Sequence, residues 1–309
     1  LSYNVSVLNI SFRKFLVLGY LLGLFVLFVF VRTFWTPDIM FLALFGLFYI
    51  LGQSKSFVIY FLPFVLLLLS YEKLRSLAPL INSHVHYMEM VHFDKWLFGG
   101  VLPTAWLQQH MYFGRVAWYD FYFYFLYMLH FVTPILLAVA IWKYRPKQYW
   151  LFITSLVFLS YAGFITYVLY PAAPPWMASD LRFIEPIHRI SSDVWYAFGV
   201  KDFSSYYKQL APNTVAAMPS LHAAYPFLLA LFVRRIWGNR WFALSLIYPA
   251  SIWLGVVYLG EHYVVDVLFG ILYALLSYIS APYALRYLTK FAKKLDKYSN
   301  YRLTKILKT

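Results

Sequence analysis

The chain has 309 residues, of which 62% are hydrophobic, 23% aromatic and only 12% charged. A water-soluble domain is about a quarter charged, so that class is excluded, and disorder is excluded with it because apolar surface is in excess. Lys and Arg number 26 against 12 acidic residues, giving +14, and there is no cysteine. Disulfides, thiolate metal sites, iron–sulfur clusters and cysteine nucleophiles are therefore out, and the positive balance points first to cytoplasmic loops facing anionic lipid.

Apolar runs fall at 15–32, 39–52, 57–71, 119–142, 149–170, 221–237, 241–258 and 262–284. They predict an all-α, polytopic transmembrane bundle of about eight spans. Arg13 and Lys14 precede the first run without a small-residue cleavage site, which reads as a retained anchor. The second and third runs are short enough to tilt, re-enter or form one broken hairpin. Lys143, Arg145 and Lys147 follow span four, and Arg234, Arg235 and Arg240 follow span six, with no acid among them. From Arg286 the tail carries eight basic residues against Asp296, whereas loop 171–220 balances four bases with four acids. The positive-inside rule then puts the termini and the basic loops in the cytoplasm, and loops 72–118, 171–220 and 259–262 outside. The two long outer loops, rich in Trp, Tyr, Pro and His, are expected to form interfacial helices. The organisation expected is N-terminal spans and an outer loop at 1–118, a bundle of spans at 119–284 and a basic cytoplasmic tail at 285–309. The tail is read as a topology determinant or an anionic-lipid anchor.

Three segments on the expected outer face carry the chemistry: Tyr170-Pro171-Ala172-Ala173-Pro174-Pro175-Trp176, Met218-Pro219-Ser220-Leu221-His222-Ala223-Ala224 and Gly260-Glu261-His262-Tyr263-Val264-Val265-Asp266. Ser220 suits a helix N-cap, and the amides of the turn it opens suit an anion, with His222 beside them. His262 and Asp266 are four apart and share a helix face, so the carboxylate can hold one imidazole nitrogen and leave the other to attack. An ionisable Asp266 inside an apolar run is costly and usually functional. Together they make a phosphoryl-transfer constellation: His262 attacks phosphorus, His222 serves as acid and base, and the helix start with Ser220 holds the phosphoryl oxygens. No metal and no cofactor is required.

The Pro219–His222 and His262–Asp266 patterns resemble the second and third signature motifs of the type 2 phosphatidic acid phosphatase superfamily. Tyr170–Trp176 and the wording around Met218 are most similar to its branch of inositol phosphorylceramide synthases and prokaryotic relatives. The resemblance covers residues 119–284, which it implies form the catalytic core. It implies His262 as nucleophile, Asp266 as its orienting carboxylate, His222 as acid/base, and Ser220 and Leu221 on the phosphate. It also implies a membrane lipid substrate: a lipid phosphate or phosphatidylinositol-like donor, with either water or a lipid hydroxyl as acceptor.

The pattern departs from the superfamily where its cations should be. Tyr170–Trp176 contains none, Val256 stands where an Arg is usual, and Leu221 stands where Gly is common. A substitute cation is expected, with Arg75 favoured over Lys73, Arg182 and Arg189. His130, in mid-span, is expected to line the substrate cleft. His84, His86 and His92 with Asp94 have a spacing open to a metal, but head-group or interfacial contacts are the preferred reading. Two readings of other kinds stay open: a binding-only relative, and a helical bundle handling haem or protons.

Overall fold

The structure is a computed structural model that describes residues 10–31, 37–130, 132–200 and 213–295. Among these residues it is helical, with isolated backbone bridges in place of a sheet. Two compact units divide at Glu72 and Lys73.

In the first unit, α1 (Ile10–Val31) packs on α2 (Pro37–Ile50). Gly46 leaves the space that the Tyr20 ring fills, and the Tyr20 hydroxyl donates to the Ala43 carbonyl at 3.0 Å. A helical turn (Ser54–Ser56) and a π-helical stretch (Phe57–Phe61) lead into α3 (Leu62–Ile81). Phe48, Phe57 and Phe61 pack edge-on and stacked across that junction. The third apolar run of the sequence is thus part of one long helical passage over Ser54–Ile81.

The second unit holds α4 (Glu89–Leu97), α5 (Pro103–Met111), α6 (Trp118–Leu129), α7 (Thr133–Tyr144), α8 (Tyr149–Leu169), α9 (Pro175–Asp180), α10 (Ile190–Ala197), α11 (Leu221–Trp237), α12 (Asn239–Ser245), α13 (Ile247–Tyr258) and α14 (Val264–Leu295). α14 packs against both α8 and α11, and α13 packs against α6 and α11. Helices in lipid gain little hydrophobic drive from one another, so close backbone approach has to supply the packing. Two glycines provide it. Gly163 on α8 receives the Leu221 side chain, and a Cβ at Gly270 on α14 would run into the Ser220 carbonyl.

Among the described residues four helical passages are long and apolar enough to cross a membrane: Ser54–Ile81, Pro146–Leu169, Asn239–Tyr258 and Val264–Ala292. α6 and α7, bent by 51° at their break, make a fifth if they count as one span. α11 has 17 residues, with Arg234 and Arg235 in its last turn, just short of the roughly 20 that cross hydrocarbon. α14 turns Leu268, Leu272, Leu276 and Ile279 outward along one exposed stripe, a face that only lipid or another helix would cover. The chain is an integral membrane protein.

The two ends of the second unit differ. At one end the basic loops meet, where Arg235 Nε donates to Gln148 Oε1 at 2.8 Å. At the other end the long loops fold into a cap made of α4, α5, α9 and α10. Gln108 of α5 is buried in it, donating to the carbonyls of His188 (2.8 Å) and Tyr258 (2.9 Å) and accepting from the His188 amide. Loop 73–118 contributes α4 against α14 and α5 against α13, so it belongs with the core helices in space. The basic tail from residue 296 lies outside the described residues.

Candidate active site

The cap end brings the three sequence motifs together through their backbones. Ala172, in the first, bridges in parallel to His86 on one side and Ala216 on the other. The His86 amide donates to the Pro171 carbonyl at 2.8 Å, the Ala173 amide to the His86 carbonyl at 2.9 Å, the Ala172 amide to the Val215 carbonyl at 2.8 Å and the Ala217 amide to the Ala172 carbonyl at 3.1 Å. The second motif then meets the third: the Ser220 amide donates to the Asp266 carbonyl at 2.9 Å. Met218–Pro219 is a cis peptide, and its Pro219 carbonyl accepts from the Tyr167 hydroxyl at 2.9 Å.

Ser220 caps α11 as the sequence implied, its Oγ accepting from the Ala223 amide at 3.3 Å. The turn before α14 is made by Gly260 at φ 81°, against the His188 carbonyl, a left-handed position where a side chain would be strained. The amides of Glu261 and His262 then both donate to the Val256 carbonyl at 3.1 Å. Glu261 accepts from Arg189 Nε at 3.0 Å and from the Ser191 hydroxyl.

His222 and His262 meet directly, Nδ1 of the first lying 3.1 Å from Nε2 of the second. Their protons can be placed by elimination. His262 Nδ1 lies 3.0 Å from the Ala217 carbonyl, which can only accept, so Nδ1 carries the proton in the neutral ring. Nε2 then holds a lone pair, and His222 Nδ1 is the donor toward it. Asp266 Oδ2 is 3.5 Å from His262 Nδ1 and accepts from the Tyr263 amide at 2.8 Å. The nearer partner of His262 Nδ1 is therefore a backbone carbonyl just before the second motif, with the carboxylate behind it. Asp266 Oδ1 is buried and has no hydrogen-bond partner among the described residues.

His130 sits at the break between α6 and α7. Its Nδ1 donates to the Tyr127 carbonyl at 2.6 Å, and its ring stands edge-on to His222 at 4.0 Å. Tyr127 stacks on the other side of His222 at 4.2 Å and 17°. The bend in this span thus delivers two rings that hold the plane of His222. Nothing in the spacing of the apolar run marks Tyr127 or gives the 51° break beside it.

The missing cations have visible reasons. Val256 is completely buried among Ala223, Ile252, Val257 and Val267, leaving no room for a guanidinium. The Leu221 side chain fills the notch at Gly163, so only its backbone can face an anion. Arg75 is close enough to act electrostatically on both His130 and His222, and its carbonyl accepts from Asn213 Nδ2 at 3.2 Å. Arg189 is held by Glu261 and lies 4.1 Å over the Trp176 ring, while Arg182 and Lys73 are exposed.

Histidines 84 and 86 meet edge-on at 5.1 Å, without completing a metal group among the described residues. His86 Nδ1 is 2.6 Å from Glu89, which lowers the Glu89 carboxyl below its ordinary range, and the His86 ring stacks on Tyr170 at 3.8 Å. Asp94 turns away to α14, where Oδ2 accepts from the Val264 amide at 2.8 Å and Oδ1 from the Val265 amide at 2.9 Å. No group of three or more His, Asp or Glu suited to a metal forms among the described residues. Asp94 is the residue that sequence reasoning misplaced. The available signal was the absence of a Ser, Thr, Asp or Asn at the start of α14.

Two histidines thus face each other at the start of two packed helices, one with a carboxylate behind it, in a chain whose helices are apolar enough to cross a membrane. The comparisons agree: the model of the PAP2 superfamily matches residues 88–280, and the chain belongs to that superfamily. It is 32% identical over 261 residues to the phosphoinositol dihydroceramide synthase of Bacteroides thetaiotaomicron, covering 80% of this chain and 84% of that protein. It is 23% identical over 170 residues to the inositol phosphorylceramide synthase catalytic subunit aur1 of Schizosaccharomyces pombe, covering 50% of this chain and 38% of that protein. No solved structure matches. Membership and apolar helices together make the chain a membrane enzyme of lipid phosphoryl transfer.

Proposed function

We propose that the chain moves a phosphoinositol-type head group from a phospholipid donor to a ceramide-type lipid hydroxyl through a phosphohistidine on His262. The observation that carries this reading is the His222–His262 contact, with its proton on His222 Nδ1 and its lone pair on His262 Nε2. A phosphodiester entering between the rings meets a nucleophile on one side and an acid on the other. His262 Nε2 forms the P–N bond while the bond from phosphorus to the glycerol oxygen breaks, and His222, entering as the imidazolium, gives that oxygen a proton and is left neutral. The acceptor hydroxyl then loses its proton to His222, attacks phosphorus and breaks the P–N bond. Ser220 and the first turn of α11 carry the phosphoryl oxygens, Arg75 adds positive charge, and His130 lines the cleft. A diester carries less charge than a monoester, which suits a site whose motif positions lack arginine. The ceramide acceptor follows the two synthases to which the chain is similar.

On this reading the protein crosses the membrane about eight times, with the cap and the site outside and the basic ends in the cytoplasm. The residues from 119 to 284 form its catalytic core, and the basic tail meets anionic lipid. The test is to incubate the full-length protein in vesicles with head-group-labelled phosphatidylinositol and ceramide. Labelled sphingolipid, with acid-labile and base-stable label on the protein, is the expected result. Release of free inositol phosphate alone would make water the acceptor and the protein a phosphodiesterase, and the absence of any turnover would overturn the reading.

A further inference from the structure

α14 begins without a cap of its own. The first amides of a helix have no partner inside it, and the usual remedy is a Ser, Thr, Asp or Asn just before the first turn. Here that ground is taken by the nucleophile and its turn, Glu261-His262-Tyr263. Asp266, the first acidic residue inside the helix, has its Oδ2 turned back to the Tyr263 amide and toward His262. Val264 and Val265 are left to an outside acceptor, and both oxygens of Asp94 meet them at 2.8 and 2.9 Å.

The burial of Asp94 calls for a strong reason. It is 0% exposed, beside Met90 and Val91, which pack with Tyr263 and Val265 in one apolar cluster. A carboxylate in such surroundings is expensive unless every lone pair is used. Asp94 has one hydrogen bond to each carboxylate oxygen because the end of α14 presents two amides together. The turn carrying His262 is thereby pinned twice: upstream the Val256 carbonyl holds the amides of Glu261 and His262, and downstream Asp94 holds those of Val264 and Val265.

We propose that Asp94 is a positioning residue for the transfer reaction, one that fixes the start of α14 so that His262 keeps its contacts with Ala217 and His222. This rests on the function proposed above. A second consequence follows from charge. Two helix starts converge on the site, and each offers a positive end to an anion. Asp94 places a carboxylate on the start of α14, so the phosphate is directed to the start of α11, where Ser220 stands. Asp94 touches neither substrate nor the reacting atoms, and its influence runs through the helix it caps.

The experiment uses the full-length chain in vesicles, as wild type, Asp94→Asn and Asp94→Ala. Steady-state kinetics with labelled phosphatidylinositol and ceramide are paired with nitrogen NMR of labelled imidazoles. A displacement of order 1 Å at the reacting centre costs about 10²-fold, so kcat is expected to fall by about that factor in Asp94→Ala with KM unchanged. Asp94→Asn, which keeps one acceptor, should lie between. The signature of the His262 Nε2 hydrogen bond should weaken in the same order while the melting midpoint stays within a few degrees of the wild type. Wild-type kcat in Asp94→Ala, a change confined to KM, or an unaltered His262 spectrum would each overturn the proposal. If the wild type turns over no lipid phosphate, the functional reading fails, and the imidazole spectra still decide whether Asp94 positions His262.

Discussion

Two helices start at this site, and they are finished in opposite ways. α11 is closed by Ser220, three residues from the amide it holds. α14 is closed by Asp94, 170 residues from Val264 in the chain. The local cap leaves the helix start open to an anion, whereas the distant cap occupies its helix start with a negative charge. A helix start that must bind phosphate can be capped by a neutral hydroxyl. One that must hold a nucleophile at a fixed angle gains more from a buried carboxylate anchored in a separate element.

The comparison can be broken from either side. His262→Ala removes the group that α14 presents and is expected to lower turnover by more than about 10³-fold, with label on the protein lost in the same assay. His222→Ala removes the acid that α11 presents, and general acid–base catalysis contributes about 10²–10⁴-fold; burst kinetics should show slowed formation of labelled protein. pH separates the two caps. Burial raises the Asp94 carboxyl from 3.8 to about 6, against the pull of its two amide partners and with the charge of Asp266 adding to the rise. A carboxyl raised on folding binds its proton more tightly in the folded state. Its contribution to stability is therefore whole below about pH 4 and lost as pH climbs through 6, a swing of about 3 kcal/mol. Melting midpoints measured from pH 4 to 7 should show this slope in the wild type and lose it in Asp94→Asn. Ser220→Ala should cost only about 1 kcal/mol of stability at any pH, read in the same melts, and a cost above that of Asp94→Ala would reverse the assignment of the two caps.

Much of this site could be read in the chain because its signals are local. Ser220 before an apolar run, His262 and Asp266 one turn apart, and the split between basic and balanced loops all follow from spacing. Asp94 was misread for the opposite reason: its partners are backbone amides of a helix distant in sequence, and a residue type says nothing of which amides it will meet. The same holds for the Ala217 carbonyl, since every residue has one and only the fold chooses which faces His262. Tyr127 belongs with them, because a bent span and a straight one have the same apolar pattern. Val256 was legible as a departure, but its reason, a fully packed apolar pocket, appears only when four helical residues converge on it.

The seam through Ala172 has a consequence for how the cap tolerates change. At Ala172 and Ala173 this strap grips its neighbours through amides and carbonyls, so what it demands of a residue there is an N–H and a length. Arginine and lysine can vanish from such a strap without loosening it, whereas a proline at Ala172 would delete the donor to Val215. An inserted residue would slide Ala217 out of register and carry the His262 anchor with it.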